Sequence, residues 1–329
     1  MALTGAHMNR NMPTMAERLA PLILFALLAL APPLAYALGA GHWVSLLTRV
    51  MILAIAALSL DFILGIGGMV SFGHAAFVGI GAYMAGILGH EGFGDVLIAL
   101  PVVLVCCAVY GAFTGAISLR TQGVAFIMIT LAFGQMAYFF AQSLYRYGGD
   151  DGLTLASRST VAGLKLFDNK LVFFYIVLGV LILAYLIVRA LAASRFGRAL
   201  LACRDNATRM ASLGYDVFRI RLTAFVISGM VAGVAGILMA NHTEFVSPAY
   251  TAWQRSGEFI FMVIIGGLGS LWGAVAGAAA FLLIEEGLSG LTEHWKGIFG
   301  PLIILFVLFT RGGLSGLIDR ALPRRGDHD

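Results

Sequence analysis

Charge is scarce in this chain. Only 12% of its 329 residues are Asp, Glu, Lys or Arg, against 60% hydrophobic residues, and the mean hydropathy is +0.92. A soluble protein of this length needs far more charge to cover its surface, so that class is excluded. Strand-like alternation is also missing: the apolar runs are long and continuous, which excludes an outer-membrane barrel. The three cysteines, Cys106, Cys107 and Cys203, make no disulfide framework, and Cys106 and Cys107 read as small hydrophobes in an apolar run. His90-Glu91 does not continue to H-E-x-x-H, and no cysteine pair has ligand spacing, so no metal site is expected. No Walker A sequence and no Gly-Lys dipeptide occur, which excludes ATP hydrolysis by that route. No nucleophile–base constellation is visible, so no catalytic residues are expected. A net charge of +4 is too modest for a nucleic-acid footprint. No cleavable signal pattern is present, and the apolar run 21–38 reads as a first span.

What is present is span after span of apolar sequence. The fold class read from it is an all-α polytopic membrane protein of about 8–10 segments, each needing ~20 apolar residues. Candidate spans are 20–38, 43–64, 73–89, 95–118, 123–142, 171–190, 220–240, 257–286 and 297–311. Residues 1–19 read as a short leader, 20–315 as one transmembrane domain and 316–329 as a tail. The polar segment 194–221 is rich in arginine, with Arg195, Arg198, Arg204, Arg209, Arg219 and Arg221 opposed by Asp205 and Asp216. By the positive-inside rule this segment and the arginine-bearing tail are cytoplasmic, and the mixed-charge loop 143–170 lies outside. Residues 220–311 then cross an even number of times. Three apolar segments lie there, so the eighth either re-enters or crosses twice around its glycine break at Gly266-Gly267.

That break has a likeness elsewhere. IGGMVSF (66–72) resembles IGGLGSL (265–271), and glycine-rich apolar sequence follows both, which points to an internal repeat with glycine-broken or re-entrant helices. Gly67, Gly68, Ser71, Gly266, Gly267 and Ser270 are candidates for lining a translocation path, because non-helical backbone at membrane depth is tolerated only inside protein or beside a water-filled cavity. Glycine-mediated helix packing is the competing reading. Asp61 lies in an apolar run one turn before the first break. A mid-membrane aspartate costs ~2.5–3.5 kcal/mol on insertion scales, so Asp61 shapes the path or meets a substrate amino group, or else it lies near the interface, is protonated or bonds a neighbouring span. His74 lines the path or satisfies broken-helix carbonyls. Gln135 bonds across helices or contacts solute. Asp150 and Asp151, among glycines 148, 149 and 152, form an exposed turn that could dock a partner; the spacing is not that of an EF-hand. Glu258, Glu285 and Glu286 sit at span ends and read as interfacial. Residues 198–213 suit one short helix, with Leu200, Leu201, Met210 and Leu213 packing down, Arg198, Arg204, Asp205, Asn206 and Arg209 polar, and Gly214 as its stop.

These residues carry a family resemblance. SFGHAAFVGIGAYMAGIL (71–88), GGDDGL (148–153), FGRALLACRDNATRMASLGYDVFRIRLTAFVISG (196–229) and MVIIGGLGSLWGAVAGAA (262–279) resemble the M-type permease subunits of branched-chain amino acid ABC transporters. The match runs in order over nearly the whole chain after about residue 20. The family often carries asparagine at the position of Asp61. The resemblance implies an ABC importer in the bacterial inner membrane, with both termini cytoplasmic. The partners it implies are an H-type permease in a heterodimer, two ABC ATPase subunits and a periplasmic substrate-binding protein, with membrane lipid around them. It implies no cofactor on this chain, with ATP and Mg on the ATPase subunits. It maps an ATPase-docking loop onto Arg198, Arg204, Asp205, Asn206, Arg209 and Gly214. The cargo implied is branched-chain amino acids, with urea, amides and aromatic acids as family alternatives. A glycine-broken repeat and Asp61 would also serve an ion-coupled secondary transporter.

Overall fold

A computed structural model describes residues 15–37, 41–155, 157–290, 294–310 and 312–321. The leader before Met15 and the tail beyond Ala321 lie outside the described residues. Helices dominate: α1 (Met15–Ala37), α2 (His42–Asp61), α3 (Ala75–His90), α4 (Val96–Ser118) and α5 (Val124–Ser143) precede a loop with a short strand β1 (Leu153–Thr154). Then follow α6 (Lys170–Ala193), α7 (Arg195–Asp205), α8 (Ala207–Ser212), α9 (Val217–Thr243), β2 (Phe245–Val246), α10 (Trp253–Gly266), α11 (Leu271–Ser289), α12 (Trp295–Phe309) and α13 (Gly313–Ala321). Among the described residues, six helical segments, His42–Ile66, Val96–Ser118, Val124–Ser143, Lys170–Ala193, Val217–Thr243 and Leu271–Ser289, are long and apolar enough to cross a membrane.

The bundle has two distinguishable ends. One carries β1 and β2, which pair antiparallel with Leu153 opposite Val246 and Thr154 opposite Phe245. Arg158, only 13% exposed, locks this end by donating to Glu244 at 2.8 Å and to the Phe167 carbonyl at 2.6 Å. The other end carries α7 and α8. Helix α6 runs from the paired-strand end to the arginine end, and α9 returns. Between α9 and α13 the chain passes four times, through α9, α10, α11 and α12. The long apolar segment 257–286 is therefore two helices, α10 and α11, broken at residues 267–270.

Helix α2 sits at the centre, with 94% of its most apolar window buried, whereas the corresponding figure is 22% for α4 and α5. It packs on α6, α9, α10 and α11. Lipid-like exposure of Val105, Val109, Phe113, Met128, Met136, Phe139 and Phe140 marks the outer faces of α4 and α5. The tightest helix pair, α3 with α9, is built on glycine. A Cβ on Gly81 would collide with the Gly233 carbonyl, and one on Gly236 with that of Val78. Small residues let two backbones approach closely where apolar burial against lipid gives no driving force. Helices beginning outside the apolar layer carry their own caps. Asp95 accepts from Leu97 N–H, Asn169 from Leu171 N–H, Ser194 from Gly197 N–H and Asp216 from Arg219 N–H. Helix α3 begins inside the bundle, and there α10 supplies the cap: Ala75 N–H donates to Ser256 Oγ at 2.9 Å.

Candidate functional site

The first glycine break starts as a π-helical turn, Phe62–Ile66, at the end of α2. Gly67, Gly68 and Met69 close it by donating to the carbonyls of Phe62, Leu64 and Ile63. Residues 67–74 then leave the helix and lead back to α3. Asp61, on the last turn before the break, is fully buried. Its Oδ1 accepts the Gly269 N–H at 2.8 Å, and Oδ2 has no partner within the protein. Gly65, one helical turn on, lies flat against Gly269: a Cβ there would collide with Asp61 Oδ1 and the Gly269 backbone. The two similar glycine segments are therefore one joint, in contact with each other.

Arg204 reaches this joint from α7. Its Nη1 donates to the Gly65 carbonyl, and its aliphatic stem covers Gly68, where a Cβ would lie 2.7 Å from Arg204 Cγ. The helix ends here and leaves that carbonyl without a helical partner, and a guanidinium is well suited to take it. Leu200, on the same helix and fully buried, packs near Gly67. Arg204, one of the polar positions of this segment, has an exposed flank and a head turned into the bundle. The expectation of one helix over 198–213 is corrected. Asn206 leaves helical geometry at φ −155°, ψ 93°, and its side chain caps α8 by accepting from Arg209 N–H at 2.8 Å. Leu213 is 67% exposed rather than packed. Gly214, at φ +85°, ends α8: its N–H donates to Ala211 and that of Tyr215 to Met210, the Schellman pattern.

A second polar cluster holds the far end of the break. His74 Nε2 lies 2.8 Å from Ser59 Oγ, which donates its one proton to the Ala56 carbonyl at 2.7 Å. The ring then donates from Nε2 and leaves Nδ1 as a buried acceptor with no protein partner. Ser228 Oγ donates to the Ser59 carbonyl at 2.5 Å, joining α9 to α2. Phe72 N–H donates to Thr130 Oγ1 at 3.2 Å, and Gly73 packs on the Thr130 backbone. Ser71 Oγ is buried without a partner.

The structure thus gathers Asp61, Gly67, Gly68, Gly266, Gly267 and Arg204 around one joint, with Ser270 as the N-cap residue of α11 beside it. Ser71 and His74 lie at the other end of the first break. Gln135 is half-buried on α5, next to Gly134, which packs on Gly73. Arg198, Asp205, Asn206, Arg209 and Gly214 are exposed. Asp150 and Asp151 are exposed at the opposite end, in a 3-10 turn flanked by positive-φ glycines. Among the described residues no group of His, Cys, Asp or Glu could hold a metal. Sequence reasoning missed Gly65, Gly269, Ser59 and Ser256. The spacing of Asp61 and Gly65, i and i+4, was the available signal, since it places them on one helix face.

A family described as the permease component of the branched-chain amino acid transport system matches residues 43–308. The high-affinity branched-chain amino acid transport permease LivM of Escherichia coli (strain K12) is 29% identical over 316 residues, covering 89% of this chain and 74% of that protein. The autoinducer 2 import permease LsrC of Enterobacter sp. (strain 638) is 29% identical over 260 residues, 75% of this chain and 71% of its own. The branched-chain permease LivH of Escherichia coli (strain K12) is 32% identical over 126 residues, 37% of this chain and 40% of its own. No solved structure matches.

Proposed function

The chain belongs to the branched-chain amino acid transport permease family, and from that premise we propose that it is the M-type membrane subunit of a binding-protein-dependent ABC importer. It is an integral membrane protein whose relatives are transporter components, not enzymes. In this reading it forms half of a translocation path in the bacterial inner membrane. The arginine end faces the cytoplasm, and the paired-strand end faces the binding protein, with Asp150 and Asp151 on the docking side. An H-type permease completes the path; the likeness to LivH is consistent with two related halves. Separate ATPase subunits hydrolyse ATP with Mg and bear on α7 and α8. The cargo is a branched-chain amino acid or a related small polar solute.

One observation carries the mechanism: Arg204 on α7 is bonded to Gly65, and Gly65 is packed on Gly269. A push on α7 therefore arrives at both glycine breaks, through the Arg204 head on Gly65 and through Leu200 beside Gly67. Short uncapped backbone at the joint can reorient without unfolding a helix, whereas packed helices move as rigid bodies. The exposed Arg198, Asp205, Asn206 and Arg209 are the surface offered to the ATPase, and Arg204 is the transmitter. Asp61 is a positioning residue that holds the second break against the first.

The test is uptake in membranes with and without the co-expressed ATPase subunits. Uptake should need them and stop when they lose catalytic residues. Uptake by this chain alone, driven by a proton or sodium gradient, would overturn the proposal and favour a secondary transporter.

A further inference from the structure

The second break has a contact of its own. After α12 the chain turns at Gly312 and Gly313 and begins α13 directly against Gly267. Gly267, Gly312 and Gly313 have φ of +108°, +96° and +66°, backbone that residues with a Cβ rarely adopt. Their main chains touch. A Cβ on Gly313 would lie 2.6 Å from Gly267 N and 2.7 Å from both Gly267 Cα and the Ile265 carbonyl. One on Gly267 would collide with Ser315 Oγ and the Gly312 carbonyl. That carbonyl already accepts from Ser315 Oγ at 3.2 Å and from Gly316 N–H at 3.1 Å. Gly313 is buried, while Leu317 on the same helix is 44% exposed.

Gly267 is two residues from Gly269, the donor to Asp61. The contacts therefore run in series: α13 to Gly267, Gly269 to Asp61 and Gly65, Gly65 to Arg204 on α7. Two helices at the arginine end grip one joint from its two sides, α7 with a charged head and α13 with bare backbone. Interdigitated backbone of this kind has no slack, so α13 and the break shift together or separate outright.

We propose that α13 is a positioning element for the transport cycle: it sets the second glycine break through Gly313 and Ser315, so that moving the C-terminal helix changes the joint independently of α7. The proposal rests on the importer reading only for the form of its assay. The experiment uses the whole importer reconstituted in vesicles, comparing the unaltered chain with Gly313→Ala, a chain ended after Thr310 and the exposed control Leu317→Ala. Assembly, ATP hydrolysis and solute uptake are measured together. Expected are assembled complexes in which Gly313→Ala and the shortened chain hydrolyse ATP but move at least tenfold less solute per ATP, with Leu317→Ala unchanged. An unchanged ratio in both variants would overturn the proposal. Failure of both to assemble would overturn it equally, because α13 would then be a part of the folded core and nothing more. If uptake needs no ATPase, the importer reading fails, and the same variants still report on α13 through the uptake rate alone.

Discussion

The carboxylate of Asp61, itself fully buried, accepts the backbone N–H of the half-buried Gly269 across 208 positions of the chain, at 2.8 Å. This bond explains why a charged residue type is tolerated inside α2. It satisfies a donor that the non-helical break leaves without a backbone partner, and an orphaned buried donor costs about 1–3 kcal/mol.

Substitutions at Asp61 should therefore separate acceptor from charge. Asp61→Asn keeps an oxygen for Gly269 and should change thermal stability in detergent little. Asp61→Ala orphans the N–H and should cost about 1–3 kcal/mol. Equal melting of the two variants would show that the bond does not hold the joint.

Gly65→Ala should destabilise by about 1–3 kcal/mol, because the added methyl overlaps Asp61 and the Gly269 backbone. Gly89→Ala is the matched control. It lies on α3 with nothing within 4 Å of the new methyl, and should be neutral or stabilising by about 0.4–1 kcal/mol. Chemical denaturation of both reads the difference.

Arg204 should stand apart from its neighbours. Arg204→Glu should uncouple ATP hydrolysis from uptake while leaving membrane insertion intact. Arg198→Ala, on an exposed side chain, should leave stability within about 0.5 kcal/mol. Unaltered assembly and uptake in Arg204→Glu would remove α7 from the coupling path.

The paired-strand end offers an internal comparison of ion pairs. Arg158 is 13% exposed, with two oxygen partners and the Phe173 ring 5.7 Å from its guanidinium carbon. Arg146 is 72% exposed and pairs with Glu91. Arg158→Ala should open the 144–169 loop to protease, whereas Arg146→Ala should not, since exposed pairs contribute ~0–1 kcal/mol.

Asp95 gives a pH dependence. Backbone N–H groups of Leu97 and Gly163 donate to its carboxylate and hold it below the usual carboxylate range. Because the folded pKa is the depressed one, the contribution is complete above the ordinary value of about 4 and is lost as pH falls through the lower folded value. Amide protection at Gly163, corrected for intrinsic rate, should drop over that acid range, and Asp95→Asn should abolish the dependence.

Much of the fold was legible because its signals are local. Apolar run length located the long helices, and the 257–286 segment, too long for one span, is broken at its glycines. The site was legible only in part. Asp61, Gly67 and Gly267 stood out by rarity or repetition, but their mutual contact depends on tertiary pairing that no period encodes. Arg204 read only as a polar position because a loop arginine has no apolar context in sequence; its inward turn depends on a carbonyl left free where the helix ends. Asn206 was hidden within a helix-compatible run, and its own side-chain cap ended that run early.

The distance along the chain between Asp61 and Gly269 also bears on how the protein is made. At about 5–20 residues per second, the 208 positions between them correspond to roughly 10–40 s of synthesis. Throughout that interval α2 is complete but the donor for its carboxylate does not yet exist. The nascent helix must wait beside the insertion machinery, or in a watery vestibule, until the final third of the polypeptide arrives to seal it.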